Sequence, residues 1–304
     1  MYSSSKSTHR FARRLLEALP LSQVTEQTMS IASMPMKLWH DLVNTKWSKK
    51  TVSWAIAYIY TLYVALSAIP PFKSNAAFSV TAASGLLVVL YVFHSFTNLN
   101  LKTASKFLLI AAVISYLWEF VGVETGIPFG SYYYTSALGP QIGPVPIAIP
   151  LIWCALGYFC MQASDHYVMA SALMVSLDLS FDPVFSSSLH LWNWTGQTQY
   201  FGVPLTNFLG WFVASLTFFA VFYYTTKRQL KLSKHAVVFY YLFGLDNVIG
   251  DLVSGSAALA AASFIIFTVA TATVILLHRS KVAKTRVLQA VQVAGSTRQP
   301  VASQ

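Results

Sequence analysis

An all-α fold, a polytopic transmembrane helical bundle with both termini cytoplasmic, is what this sequence predicts, and three observations predict it. Apolar residues make up 55% of the chain and charged residues only 10%, with a mean hydropathy of +0.55, well outside the range of soluble domains. The apolar residues gather into about eight stretches, each near the ~20 residues that cross a bilayer as a helix. The basic residues flank alternate ends of those stretches, as cytoplasmic loops require.

The predicted spans are Thr51–Ile69, Ala76–Thr97, Thr103–Val123, Val145–Ala163, Tyr167–Phe185, Pro204–Thr226, Ala236–Leu252 and Ala257–His278, bounded by charge, proline or glycine. Lys46, Lys49 and Lys50, then Lys102 and Lys106, then the group from Lys227 to Lys234, then the group from Arg279 to Arg286 all fall on one side, and Lys73 is the exception. An even number of spans with both ends inside follows. The net charge of +10 is therefore topological and does not call for a nucleic-acid partner. Three regions result: a basic, partly ordered arm (1–50), the transmembrane domain (51–279) and a polar tail (280–304) expected to be disordered.

In the arm, Phe11, Leu15, Leu16 and Leu19 share one helical face beside Arg10, Arg13 and Arg14, which suits a membrane surface or an organelle transit peptide. The predicted location is a cell membrane, or an organelle membrane if the arm is a transit peptide. The first two spans carry no acid or base inside and read as scaffold around the Pro70-Pro71 turn, with His94 expected at the membrane interface. Cys154 and Cys160 fall in one predicted helix, roughly 9 Å apart by helical rise, too far for a disulfide. Neither Cys nor His stands at metal-ligand spacing, and the sequence carries neither a dinucleotide glycine fingerprint nor a soluble domain to hold a cofactor, so no metal and no cofactor is expected.

The third span delivers Glu119 beside Trp118, and the chain then breaks at Gly126, Pro128 and Gly130 into a tyrosine-rich turn holding Tyr132 and Tyr134. Pro144, Pro146 and Pro150 predict a distorted start to the fourth span, which carries Trp153 inward. The fifth contains Asp178 and Asp182, four residues apart and so on one helix face, where two like charges do not both ionise readily in a low dielectric. One of the pair is expected to hold a proton. Asn207, Gly210, Trp211 and Ala214 share a face of the sixth span that permits close packing and offers an amide.

Six of the ten acidic residues, Glu119, Glu124, Asp178, Asp182, Asp246 and Asp251, fall within or at the ends of predicted spans, all toward the outer half. A buried ionisable group costs at least ~2.5 kcal/mol on insertion scales, so the default reading is a functional cavity. The bland alternatives are structural. Glu124 and Asp251 suit interfacial water, Asp182 before Pro183 suits backbone groups freed at a helix end, and Glu119 and Asp178 suit satisfaction by Tyr or Asn across the bundle.

The motifs Glu119-x-x-Gly122-x-x-Thr125-Gly126-x-Pro128-Phe129-Gly130-x-Tyr132-x-Tyr134, Asp178-x-x-x-Asp182-Pro183 and Gly202-x-Pro204-x-x-Asn207-x-x-Gly210-Trp211 resemble the carotenoid 1,2-hydratase family of the CruF type. The resemblance spans roughly Phe107 to Thr226. It implies an enzyme, a hydro-lyase that adds water across the terminal double bond of an acyclic carotenoid of the lycopene or bisanhydrobacterioruberin type, without cofactor or metal. Its implied partners are membrane lipid, the carotenoid and other carotenoid-biosynthesis enzymes.

Such chemistry needs an acid in a dry place, electron-rich walls for a tertiary carbocation, and a held water. Asp178 or Asp182 suits the first role, Trp153 or Trp211 the second, and Glu119 with Asn207 the third, with Trp118, Tyr132 and Tyr134 as further aromatic wall. The competing readings are a membrane carotenoid cyclase or isomerase using the same cation chemistry, a proton-coupled transporter, and a non-catalytic organiser of pigment enzymes.

Overall fold

The computed structural model describes residues 48–68, 76–227 and 232–296, so the amphipathic face predicted near Phe11 lies outside the described residues. The helices are α1 (Lys49–Ala68), α2 (Ala76–Asn98), α3 (Leu101–Thr125), α4 (Ala148–Gln162), α5 (Tyr167–Asp182), α6 (Leu205–Thr226), α7 (Lys234–Val253) and α8 (Ala257–Ser296). Among the described residues, seven helices are long and apolar enough to cross a membrane. The all-α bundle expected from hydropathy is the fold observed.

The exception is α4, fifteen residues long. At ~1.5 Å per residue it reaches ~22 Å, short of a ~30 Å hydrocarbon core. Its predicted span began at Val145, but Val145 and Pro146 form β3, which pairs antiparallel with β2 (Gln141–Ile142) in a tight hairpin. Pro146 suits extended backbone, and Pro150 is tolerated in the first helical turn, where its missing N–H would have had no partner. A short helix apolar on all sides belongs inside. Accordingly α4 packs against α2, α3, α5 and α7, and Cys154 and Cys160 are buried there as free thiols.

Around this centre, α1 packs on α2 and α7, α3 and α5 on α6, and α7 on α8. Asn100 caps α3, its side chain accepting from the Thr103 N–H at 2.8 Å, and Ser233 does the same for α7. The helix α3 ends at Gly126, whose left-handed backbone (φ 75°) turns its N–H back to the Gly122 carbonyl. α8 stays helical through Ser296, well past His278, because the segment from Lys281 to Ala294 contains neither proline nor glycine and is rich in Ala, Lys, Arg and Gln.

One buried polar cluster corrects the expectation for His94. It is enclosed between α1, α2 and α4, with its ring nitrogen 2.8 Å from the Tyr158 hydroxyl and its ring edge-on to Trp54. The position is interior, not interfacial, because the short α4 brings Tyr158 to it.

Candidate functional site

Glu119 lies in the last two turns of α3 and is buried. Its Oε2 accepts from the hydroxyls of Tyr132 and Tyr134, each at 2.6 Å, and its Oε1 accepts from the Trp153 indole N–H at 2.9 Å. Burial first, and then the charge of Glu119, holds both phenols well above their ordinary range, so they remain donors.

On the neighbouring wall, α5 does not stop at Asp182 but opens into a wider π-helical turn, Pro183–Ser188, in which the Leu189 N–H reaches the Val184 carbonyl. Proline has no N–H to continue the α-helical ladder, and the widened turn accommodates that loss. The carboxyl of Asp182 is thereby aimed inward. Its Oδ1 accepts from the indole of Trp192 at 2.9 Å and more distantly from Trp194 at 3.4 Å, while Oδ2 accepts from Asn207 at 2.7 Å. The alternative in which Asp182 serves freed backbone groups is not met, since side chains donate to both oxygens.

Asn207, in the first turn of α6, donates from the same nitrogen to Asp178 Oδ2 at 2.6 Å. Two carboxyl oxygens at this range fix the amide orientation, with nitrogen toward the acids and the carbonyl oxygen turned away. The helical spacing of Asp178 and Asp182 thus brings both acids to one group, the Asn207 amide.

The phenols and indoles reach these acids from one small ribbon. β1 (Tyr132–Tyr134) pairs antiparallel with β4 (Trp192–Trp194), with Tyr132 opposite Trp194 and Tyr134 opposite Trp192. Alternation along a strand sends these four rings to one face, while Tyr133 is exposed on the other. Two phenols meet Glu119 and two indoles meet Asp182, so the ribbon closes this end of the bundle with hydrogen-bond donors. No role falls to Trp192 or Trp194 from the sequence alone; the matching aromatic-x-aromatic triplets in two uncharged loops were the available signal.

The ribbon is seated by Phe129. Its ring fits between Gly122 of α3 and Gly210 of α6, where a methyl group on either glycine would overlap it, and its carbonyl accepts from Thr206 at 3.0 Å. The indoles of Trp153 and Trp211 stack with centroids 4.0 Å apart.

These groups border a cavity of about 700 Å³, within the range of ligand pockets. Glu119, Asp182, Asn207, Trp153, Trp211, Tyr132 and Tyr134 all line it. Asp178 does not: it sits off the cavity wall and is fully buried, with Oδ1 enclosed and, among the described residues, without a hydrogen-bond partner. Trp118 is half-buried against the core and is likewise absent from the wall.

Two expectations change. The first two helices are more than scaffold, since Tyr60, Val64 and Ser67 of α1 and Leu87 and Val88 of α2 form part of the wall. Asp251 is not in interfacial water but 1% exposed, accepting from Ser263 at 2.6 Å and Ser180 at 3.4 Å, because α8 and α5 both cross over it. Glu124 is exposed, as expected.

The lining residues lie in the C-terminal halves of α1, α3, α5 and α7 and the N-terminal halves of α2, α4 and α6, which is one end of the bundle. That end is the one whose loops 126–147 and 189–204 contain no Lys or Arg.

A stretch of 126 residues is 29% identical to bisanhydrobacterioruberin hydratase of Haloarcula japonica, covering 37% of this chain and 42% of that protein. The match therefore spans less than half of the relative's length. No solved structure matches. The family model described as carotenoid biosynthesis protein matches residues 75–279, a stretch containing every residue of the cavity wall from α2 onward. The chain belongs to the carotenoid biosynthesis protein family.

Proposed function

We propose that this protein hydrates the terminal double bond of an acyclic carotenoid, with the cavity holding the polyene end and its own side chains supplying the proton and placing the water. The observation that carries this reading is that two acids, Glu119 and Asp182, border one largely apolar cavity beside the stacked indoles of Trp153 and Trp211.

The steps follow from where each group stands. Asp182 reaches the cavity directly and shares Asn207 with Asp178, so a proton held by this pair of acids is delivered from Asp182. The alkene's π electrons take that proton at the outer carbon, leaving a tertiary cation on the neighbouring carbon. The indole faces stabilise the positive charge through their quadrupole. Water then forms the new C–O bond with a lone pair, and the proton it loses returns to a carboxylate, so the acid is restored without redox change.

Glu119 accepts three hydrogen bonds and donates none, which suits a fixed negative group opposite the developing cation. The carbonyl oxygen of Asn207, turned away from the acids, is an acceptor for the attacking water.

Cyclisation uses the same cation with an alkene as nucleophile. What favours hydration is the matching stretch shared with a named hydratase and the polar acceptor at Asn207 beside the indoles.

The test is purified protein in detergent, given lycopene in ¹⁸O-labelled water without air or added cofactor. The expected product is a tertiary alcohol carrying the label. A product of unchanged mass and altered absorption would instead assign cyclisation or isomerisation, and a strict requirement for molecular oxygen or a nicotinamide would overturn the reading.

A further inference from the structure

The cavity has a second polar wall, formed by α7, that the hydration chemistry leaves unused. Asp246 lines it and is 7% exposed, and among the described residues its carboxyl makes no hydrogen bond, with Oδ2 wholly enclosed. A buried polar atom without a partner is costly, and native structures seldom leave one. Asp251, one turn on, differs in being satisfied by two serines.

The space beside Asp246 is kept open by glycine. Gly250 stands four residues on and so on the same helix face, Gly85 lies on the α2 wall, and a Cβ on either would meet nothing within 4 Å. Larger residues at these two positions would fill the cavity where glycine leaves it free.

We propose that Asp246 is a specificity-determining residue, whose carboxyl oxygen accepts a hydrogen bond from an alcohol group carried by the polyene in the cavity. The chemistry of the wall favours an alcohol over a cation. Among the described residues no three His, Cys, Asp or Glu side chains converge as metal ligands, and a hard cation needs several oxygens at once. An alcohol satisfies a single carboxyl oxygen with one donated bond and needs no countercharge.

This inference rests on the cavity binding a polyene but not on the protein hydrating one. The preferred ligand is then an acyclic carotenoid already bearing a hydroxyl, so an oxygenating or hydrating reaction precedes its binding here.

The test measures binding, which separates the two proposals. Trp153 and Trp211 line the cavity, so a polyene seated in it quenches tryptophan fluorescence. The probes are lycopene and lycopene carrying one terminal tertiary alcohol, titrated into the full-length protein in detergent. The wild type is expected to bind the alcohol roughly tenfold more tightly, the factor given by one well-placed buried hydrogen bond.

Asp246→Leu should bring that ratio close to one. Gly250→Leu, which occupies the adjoining space without altering the carboxyl, should also remove the preference. Equal binding of the two probes by the wild type, or a preference that survives in either variant, overturns the assignment of Asp246. Binding with preference but without any turnover would overturn the hydratase reading alone.

Discussion

Tyr134 and Trp192 face each other as register partners of the β1–β4 ribbon, and each donates its polar hydrogen to a different buried carboxyl, Tyr134 to Glu119 and Trp192 to Asp182. Their rings meet edge to face at 6.1 Å. Two acids on separate helices are thus tied to one small piece of sheet whose only other register pair on that face, Tyr132 and Trp194, repeats the arrangement.

Tyr134→Phe and Trp192→Phe each keep a ring in place and delete one donor. A hydrogen bond to a charged or buried carboxyl contributes about 1.5–3 kcal/mol. Each variant is expected to insert normally and to lower the initial rate of product formation about tenfold to a hundredfold, measured by chromatography of extracted pigment. A rate equal to wild type in both would mean the ribbon only covers the site.

Burial, and then Glu119, hold Tyr132 and Tyr134 protonated well above the ordinary phenol value of 10.0. Their raised position means they are still neutral where free tyrosines ionise. In an alkaline titration followed by phenolate absorbance, the step near pH 10 should therefore have the same amplitude in the wild type and in a Tyr132→Phe, Tyr134→Phe double variant. A smaller step in the double variant would show that these phenols titrate with the exposed ones.

Asp178 and Asp182 meet the same amide nitrogen, yet only Asp182 reaches the cavity. Asp182→Asn should abolish turnover, since an amide keeps the shape and cannot cycle a proton. Asp178→Asn removes the second acid from the pair while leaving the donor in contact with substrate, so a residual rate is expected. Glu119→Gln should also abolish turnover, by losing the charge opposite the cation. Equal loss in the two aspartate variants would place proton donation on the pair as a unit.

Much of this was legible in the sequence, and what was not has identifiable causes. Span positions followed from hydropathy because seven of the helices are apolar over a membrane-crossing length, and the acids fell at one depth because a cavity at one end of the bundle gathers them. The four-residue spacing placed Asp178 and Asp182 on one helix face, but that Asn207 serves both was not legible, since it depends on how α6 packs against α5. The β1–β4 ribbon did not follow, since three-residue strands have no measurable period and their pairing joins loops about sixty residues apart in the chain. Nor did the burial of Asp251, which depends on Ser180 and Ser263 arriving from two other helices. Hydropathy also overextended α4, because apolar residues in a proline-held hairpin score like those in a helix.

The ribbon end of the bundle is expected to face away from the cytoplasm, because its loops 126–147 and 189–204 lack Lys and Arg, with Lys73 the exception at this end, while Lys102, Lys106, Lys227 and Lys234 lie at the other end. Reporter fusions or accessible tags inserted after Thr195 and in the segment 228–231 should therefore read opposite sides, with the chain termini sharing the side of the second. Tags reading the same side at both positions would break the charge argument.

The packing of Phe129 gives the sharpest test of how the site is assembled. A methyl at Gly210 would overlap one edge of its ring, and Gly122 closes the opposite edge, so the ring has nowhere to withdraw. Phe129 also contacts Tyr132 edge to face at 6.3 Å, and moving it would draw β1 away from Glu119. Gly210→Ala should accordingly destabilise the protein by about 1–3 kcal/mol, the usual cost of overpacking, and reduce turnover more than its stability loss alone explains. Gly85→Ala is the control: its methyl meets open space on a helix, so the gain in helix propensity should leave thermal stability in detergent at or above wild type. Shortening the ring in the overpacked background, Gly210→Ala with Phe129→Leu, should recover part of the lost stability without restoring the alignment of Tyr132. If Gly210→Ala melts at the wild-type temperature and retains full activity, Phe129 does not position the ribbon.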